Sequence, residues 1–76
     1  MTRLPNIKPK DALRALQRGG FFIVRQKGSH ISLKHAERST VVTVALNKKD
    51  IKTKTLKSII DQAGLTVDEF TELLKK

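Results

Sequence analysis

Three segments typical of β-strands follow one another with connections of only three or four residues. They are Phe21–Gln26, His30–His35 and Thr40–Leu46, each rich in β-branched, aromatic or alternating apolar residues. A parallel pair of strands needs a crossover of a dozen residues or more, so connections this short allow only antiparallel pairing. The spacing therefore predicts a three-stranded antiparallel meander.

A helix is predicted on the N-terminal side of these strands. Pro9 suits the first turn of a helix, where a missing N–H costs nothing. Gly19 and Gly20 end the helical pattern, because glycine accepts the conformation found at helix C-termini. The preceding segment, Met1–Lys8, is predicted to be a short lead-in.

Two further helices are predicted after the third strand. The first covers roughly Lys54–Ala63, where apolar residues recur at helical spacing and Lys57 and Asp61 stand four residues apart, close enough to pair. Thr66 and Glu69 then form a capping-box pattern that opens the last helix. The apolar stripe of the first of these helices comprises Leu56, Ile59, Ile60 and Ala63.

The predicted order is α-β-β-β-α-α, an α+β fold in a single domain that spans residues 1–76. The helical stripes have nothing to bury against except the sheet, so the helices must pack on one of its faces. The other face is left to solvent or a partner. A chain of this size buries too little surface for a deep pocket, so any active site must lie on the surface.

Charge is the most informative property of the composition. Sixteen Lys and Arg stand against seven Asp and Glu, a net charge of +9, which indicates a polyanionic partner and above all nucleic acid. A surplus of solvated lysine is the alternative. The absence of cysteine removes disulfides and thiolate metal sites. No apolar run is long enough to span a membrane, and no signal peptide is evident, so a cytoplasmic location is expected.

The tripeptide Gly28-Ser29-His30 carries the chemistry that such a partner suggests. Glycine lets a backbone approach a phosphate closely, and serine offers a hydroxyl and an N–H. Histidine takes or gives a proton near neutral pH, as cleavage of a phosphodiester requires. His35 lies five residues further along and should point to the opposite face of the strand, so it is predicted to be a strand-end residue leading into the turn.

The cations that accompany His30 depend on the length of the hairpin loop. A two-residue loop is expected to place Arg25 opposite His30, and a three-residue loop Gln26. The sequence leaves both open. In either case, cations near the turn would stabilise charge on phosphate oxygens. Those closest in sequence are Arg25, Lys27 and Lys34.

A second basic cluster surrounds the start of the second helix. Its position suits an RNA backbone contact, because helix N-termini favour phosphate, although a solvated basic loop is an equal alternative. With three Phe and no Trp or Tyr, the chain lacks a platform on which single-stranded bases could stack. The cluster comprises Lys48, Lys49, Lys52, Lys54 and Lys57.

Nearly the whole chain resembles the HicA family, which consists of small ribonuclease toxins of toxin–antitoxin pairs. The resemblance rests on the order of several modest motifs along the chain. They are Gly20-Phe21 after the first helix, Arg25-Gln26-Lys27-Gly28-Ser29-His30, a valine-rich third strand, Thr55-Leu56-Lys57-Ser58-Ile59-Ile60 and Gln62-Ala63-Gly64-Leu65.

The resemblance implies a fold like that of double-stranded-RNA-binding domains and an enzyme that cleaves mRNA without a metal or other cofactor. The family histidine lies in the Gly-Ser-His element, which here is His30. A HicB antitoxin would neutralise the toxin by covering this site. Many relatives carry a proline and then a histidine at the end of the third strand, and Val44-Ala45-Leu46-Asn47 has neither.

The leading hypothesis is therefore a translation-arresting endoribonuclease in which His30 acts as base or acid. A non-catalytic RNA-binding module of the same fold is the main alternative, and a module that binds an acidic protein is the third. Under the leading hypothesis, the residues expected to contact RNA are Arg25, Lys27, Gly28, Ser29, Lys34, Lys54 and Lys57.

Overall fold

A computed structural model describes residues 7–47 and 49–75, and it confirms the predicted order α-β-β-β-α-α. The three strands form one antiparallel sheet in the order β1-β2-β3. This is an α+β fold consistent with double-stranded-RNA-binding domains. The elements are α1 (Pro9–Arg18), β1 (Phe21–Lys27), β2 (His30–His35), β3 (Val41–Ala45), α2 (Thr53–Ala63) and α3 (Val67–Lys75).

The core lies between the helices and one face of the sheet. Alternate side chains of β2 and β3 point into it, as the period of two along a strand requires. The apolar stripe predicted for α2 is buried in full, and α1 and α3 add Leu16 and Phe70. Fully buried core residues include Leu33, Val42, Val44, Leu16, Leu56, Ile60 and Phe70.

Local interactions predicted for the last two helices are present. The Lys57 Nζ lies 2.8 Å from the Asp61 Oδ1 across one turn of α2. At the start of α3, the Thr66 N–H donates to the Glu69 Oε1 at 2.9 Å, and the Glu69 N–H donates to the Thr66 Oγ1 at 3.1 Å. This is the reciprocal capping box, which satisfies two backbone donors that the helix cannot satisfy.

Two segments remote in sequence meet beside α2. The Ile51 N–H donates to the Ile7 carbonyl oxygen at 2.7 Å in an isolated antiparallel bridge, and the Ile51 side chain is buried in the core. The lead-in predicted for Met1–Lys8 is therefore paired at Ile7; residues 1–6 lie outside the described residues. The bridge fixes the loop that leads from β3 into α2.

The junction between α1 and β1 is held by His35. Its side chain is half-buried on the helix side of the sheet, and the ring lies edge-on to Phe21 with 5.0 Å between ring centroids. Gly20 has a φ of 99°, and a Cβ there would lie 2.9 Å from the His35 Nε2. The prediction that His35 is a strand-end residue facing away from His30 is confirmed.

Candidate catalytic face

The sheet face opposite the helices is open, and β2 presents His30 on it. Ile31 and Leu33 point into the core, so the residues between and beside them, His30, Ser32 and Lys34, point the other way. His30 and Lys34 are exposed and Ser32 is half-buried. The predicted position of His30 on the uncovered side of the sheet is confirmed.

A β-bulge at Val24 decides which side chains of β1 share this face. Ile23 pairs with Leu33 and Arg25 pairs with Ser32, so Val24 is left without a partner in the ladder. Two residues on β1 then oppose one on β2, which reverses the alternation beyond the bulge. As a result Arg25 and Lys27 lie on the face of His30. An unbulged β1 would have turned both toward the helices.

Both alternatives for the residue opposite His30 are wrong, because Lys27 occupies that position. A regular strand would have placed Gln26 there with a three-residue loop. The bulge takes up one residue, so the ladder extends to Lys27 and the loop shortens to Gly28 and Ser29. Gln26 pairs instead with Ile31 on the helix side. The cation nearest His30 in the ladder is therefore a lysine.

The tip of this hairpin is a tight two-residue turn. Gly28 has a φ of 58°, a conformation that type I′ and II′ hairpin turns require at their first central residue. A Cβ added to Gly28 would meet nothing within 4 Å, so only the backbone angle demands glycine here. The Ser29 carbonyl oxygen accepts the Leu46 N–H at 2.7 Å, which ties the turn to the end of β3.

Three cross-strand rows make up the open face. Each row contains one paired residue from each of the three strands. The first row contains His30, the second lies next to it, and the third is at the opposite end of the sheet. Lys34 belongs to the third row, four residues along β2 and thus about 13 Å from His30. Lys34 therefore lies further from His30 than Lys27 and Arg25 do. The rows are Lys27-His30-Ala45, Arg25-Ser32-Thr43 and Phe22-Lys34-Val41.

These rows carry three cations, Arg25, Lys27 and Lys34, and no acidic residue. The rows themselves are therefore positively charged, as a phosphodiester substrate needs. Within the described part of the chain, no group of three or more His, Cys, Asp or Glu side chains could hold a metal ion. No helix among those residues is long and apolar enough to cross a membrane.

A groove of about 320 Å³ adjoins His30 where the end of the sheet meets the start of α2. Its walls come from β2, β3, the loop after β3 and the first turns of α2. No sequence motif corresponds to this groove, because its lining comes from separate segments that only the tertiary fold brings together. The lining residues are His30, Thr43, Ala45, Asp50, Ile51, Lys52, Thr55 and Ile59.

Of the second basic cluster, only one described lysine lines the groove that adjoins His30. Lys52 lines the groove. Lys54 is exposed in the first turn of α2 but is not part of the lining, and Lys57 is occupied by its ion pair with Asp61. Lys49 is exposed, and Lys48 lies outside the described residues.

Comparison with known protein families identifies the family to which this chain belongs. The family model of the HicA toxin of bacterial toxin–antitoxin systems matches residues 9–65, which are 57 of the 76 residues. The chain belongs to the HicA toxin family. A comparison with curated proteins finds no significant match. Membership makes this protein the toxin of a toxin–antitoxin pair and implies a cognate antitoxin as its partner.

The HicA match ends just after α2 and so covers the whole sheet and the groove. It leaves out α3, which packs against α1 on the helix side, away from His30. The Gly28-Ser29-His30 turn and the cations of the open face thus all belong to the part of the chain that defines the family.

Proposed function

We propose that this HicA-family toxin is a metal-independent endoribonuclease that cleaves mRNA and thereby arrests translation, with His30 as its catalytic residue. The supporting observation is the exposed imidazole in one row with Lys27, on a face that holds three cations and no carboxylate. Cleaving mRNA places its action in the cytoplasm.

The chemistry requires a proton acceptor or donor beside a phosphate held by positive charge. His30 removes the proton from the attacking 2′-hydroxyl or water, or delivers a proton to the oxygen that leaves phosphorus. Lys27, directly opposite, stabilises the negative charge that develops on the phosphate oxygens. Arg25, in the next row, can hold the same phosphate or its neighbour through two parallel N–H bonds.

The rest of the RNA backbone would follow the open face and the hairpin tip. Gly28 is exposed and presents backbone without a side chain, and the Ser29 hydroxyl and N–H can reach a phosphate oxygen from the turn. Lys34 would bind a more distant phosphate because of its separation from His30. On α2, Lys54 would extend the contact, whereas Lys57 must first leave Asp61.

The antitoxin that neutralises this protein is proposed to be of the HicB type and to cover the open face. Charge favours this surface, because a carboxylate-bearing partner would pair with the cations that otherwise bind RNA. Two apolar side chains at the far end of the face, Phe22 and Val41, are 46% and 53% exposed. These side chains offer apolar surface that a protein partner would bury and that an RNA phosphate backbone would leave exposed.

Cleavage of RNA by the purified chain in the presence of EDTA tests the enzymatic proposal. The wild-type protein should produce fragments, and His30→Ala should lower the rate by about 10²-fold to 10⁴-fold, the usual contribution of a general acid or base. Because His30 is exposed, the variant should keep the thermal unfolding midpoint of the wild type. Equal cleavage by a folded His30→Ala protein would remove His30 from the mechanism.

The non-catalytic alternative gives a different result in the same assay. An RNA-binding module would retain RNA on a filter or gel with an affinity that falls steeply with salt, and it would yield no fragments. His30→Ala provides the control here as well, since it should still bind RNA after losing cleavage.

A further inference from the structure

The groove beside His30 differs in chemistry from the open face that it adjoins. The apolar part of its lining is Ala45 together with the small exposed parts of Ile51 and Ile59. The polar residues that line it beside His30 are Thr43, Thr55, Lys52 and Asp50. A lining that combines apolar surface with a few polar groups is typical of a site for a small organic group.

A phosphate is a poor occupant of this groove. Asp50 would repel it and so offset the attraction of Lys52, and the apolar part of the lining offers nothing to an anion. A nucleobase fits both features, because it has apolar flat faces and a polar edge. In single-stranded RNA, bases can be splayed out and bound by that edge. A base next to the phosphate at His30 would have the groove within reach.

We propose that the groove binds the nucleobase adjoining the scissile phosphate and prefers guanine, with Asp50 as the residue that reads its edge. This proposal rests on the proposed endoribonuclease function. Asp50 is a specificity-determining residue and takes no part in the bond cleavage.

The preference for guanine follows from the donors and acceptors involved. An ionised carboxylate accepts hydrogen bonds and cannot donate them, and its two oxygens can accept from two parallel donors. Guanine presents two adjacent N–H donors on its Watson–Crick edge. Uracil presents one N–H flanked by two carbonyl oxygens, which a carboxylate repels. Asp50 should therefore favour guanine most and uracil least.

The first experiment measures nucleotide binding without cleavage. Guanosine and uridine monophosphates are titrated into the ¹⁵N-labelled wild-type protein, and chemical shifts are followed at Thr43, Asp50 and Thr55. We expect guanosine monophosphate to bind about tenfold more tightly than uridine monophosphate. Asp50→Asn should abolish most of that difference. Glu72→Gln removes one negative charge on α3 and should leave the difference unchanged.

Equal binding of the two nucleotides to the wild type would overturn the proposal, as would shifts confined to residues outside the groove. So would a guanine preference that survives Asp50→Asn. Because no RNA is cleaved in this experiment, its result does not depend on whether the protein is a nuclease.

The second experiment maps the ends of fragments cut from a long RNA. Guanine should be enriched on one side of the cut for the wild type and for Glu72→Gln, and the enrichment should fall roughly tenfold for Asp50→Asn while cleavage continues. Unchanged enrichment would contradict the role of Asp50. If no fragments form at all, the endoribonuclease function fails, and the titration still tests the groove.

A competing occupant of the groove is a side chain of the antitoxin. Asp50→Asn would then weaken inhibition by the antitoxin while leaving nucleotide binding and cut sites unchanged. That combination would assign the groove to the protein partner and overturn the nucleobase proposal.

Discussion

The two histidines of the chain differ in the contacts of their rings. The His35 Nδ1 accepts the Glu37 N–H at 3.0 Å, so the proton of the neutral ring sits on Nε2, which donates to the Gly19 carbonyl oxygen at 3.1 Å. With the edge-on contact to Phe21, the ring joins the end of α1, the start of β1 and the turn after β2. His30 stands exposed on the other face.

His35→Ala should therefore destabilise the protein by about 1–3 kcal/mol, since it leaves the partly buried Gly19 carbonyl oxygen and the exposed Glu37 N–H without their partner and removes an aromatic contact. Urea unfolding measures this loss. At a temperature where the variant remains folded, RNA cleavage should continue at close to the wild-type rate.

His30→Ala is the matched substitution and should show the reverse, with stability retained and cleavage lost. If His35→Ala abolished cleavage while remaining folded, the assignment of a purely structural role to His35 would be wrong.

At the level of elements, the bulge in β1 determines the composition of the open face. Deleting Val24 removes the bulge and leaves Arg25 opposite Ser32 and Lys27 opposite His30. Deleting Gln26 also gives a regular strand of the same length, but it places Val24 opposite Ser32 and turns Arg25 toward the helices. We expect the Val24 deletion to retain RNA binding and the Gln26 deletion to weaken it.

The two deletions are controls for each other, because both shorten β1 by one residue and keep the Gly28-Ser29 turn. Binding to a labelled RNA, with its dependence on salt concentration, measures the difference. Loss of Arg25 from the face should reduce the salt slope by about one phosphate contact. Equal slopes for the two deletions would show that Arg25 contributes no phosphate contact.

The bulge is also the feature of the sheet that the sequence did not predict. Helical spacing, capping residues and short connections predicted all six elements and the face of His30, because each of these signals is local. Phe22-Ile23-Val24 is continuously apolar and has no alternation to fix its register. The pairing opposite His30 could therefore be predicted only as a choice between two residues, and neither was right.

The groove could not be predicted from the sequence for a related reason. Thr43, Asp50 and Thr55 belong to a strand, a loop and a helix, and no spacing along the chain connects them. Their convergence depends on the packing of α2 beside β3 and on the bridge between Ile7 and Ile51. Sites assembled by packing in this way leave no sequence motif.

Along its length, the open face changes from basic and polar at the hairpin tip to partly apolar at the opposite end. Phe22 and Val41 flank Lys34 there, while the rows nearer the tip have hydroxyls and further cations. A substrate held through its phosphates would use the first two rows. A protein partner could use all three, since it can combine carboxylates with apolar side chains.

Phe22→Ser should therefore weaken binding of the antitoxin about tenfold or more, because exposed aromatic side chains are frequent anchors of protein interfaces, while RNA cleavage by the free toxin stays within about twofold of the wild type. Calorimetric titration of toxin with antitoxin gives the affinity.

Ile23→Ser is the control: Ile23 is 41% exposed, close to the 46% of Phe22, but pairs on the helix side. It should leave antitoxin affinity nearly unchanged. A similar loss for both variants would point to general disruption of β1, and loss of cleavage in Phe22→Ser would assign this row to RNA.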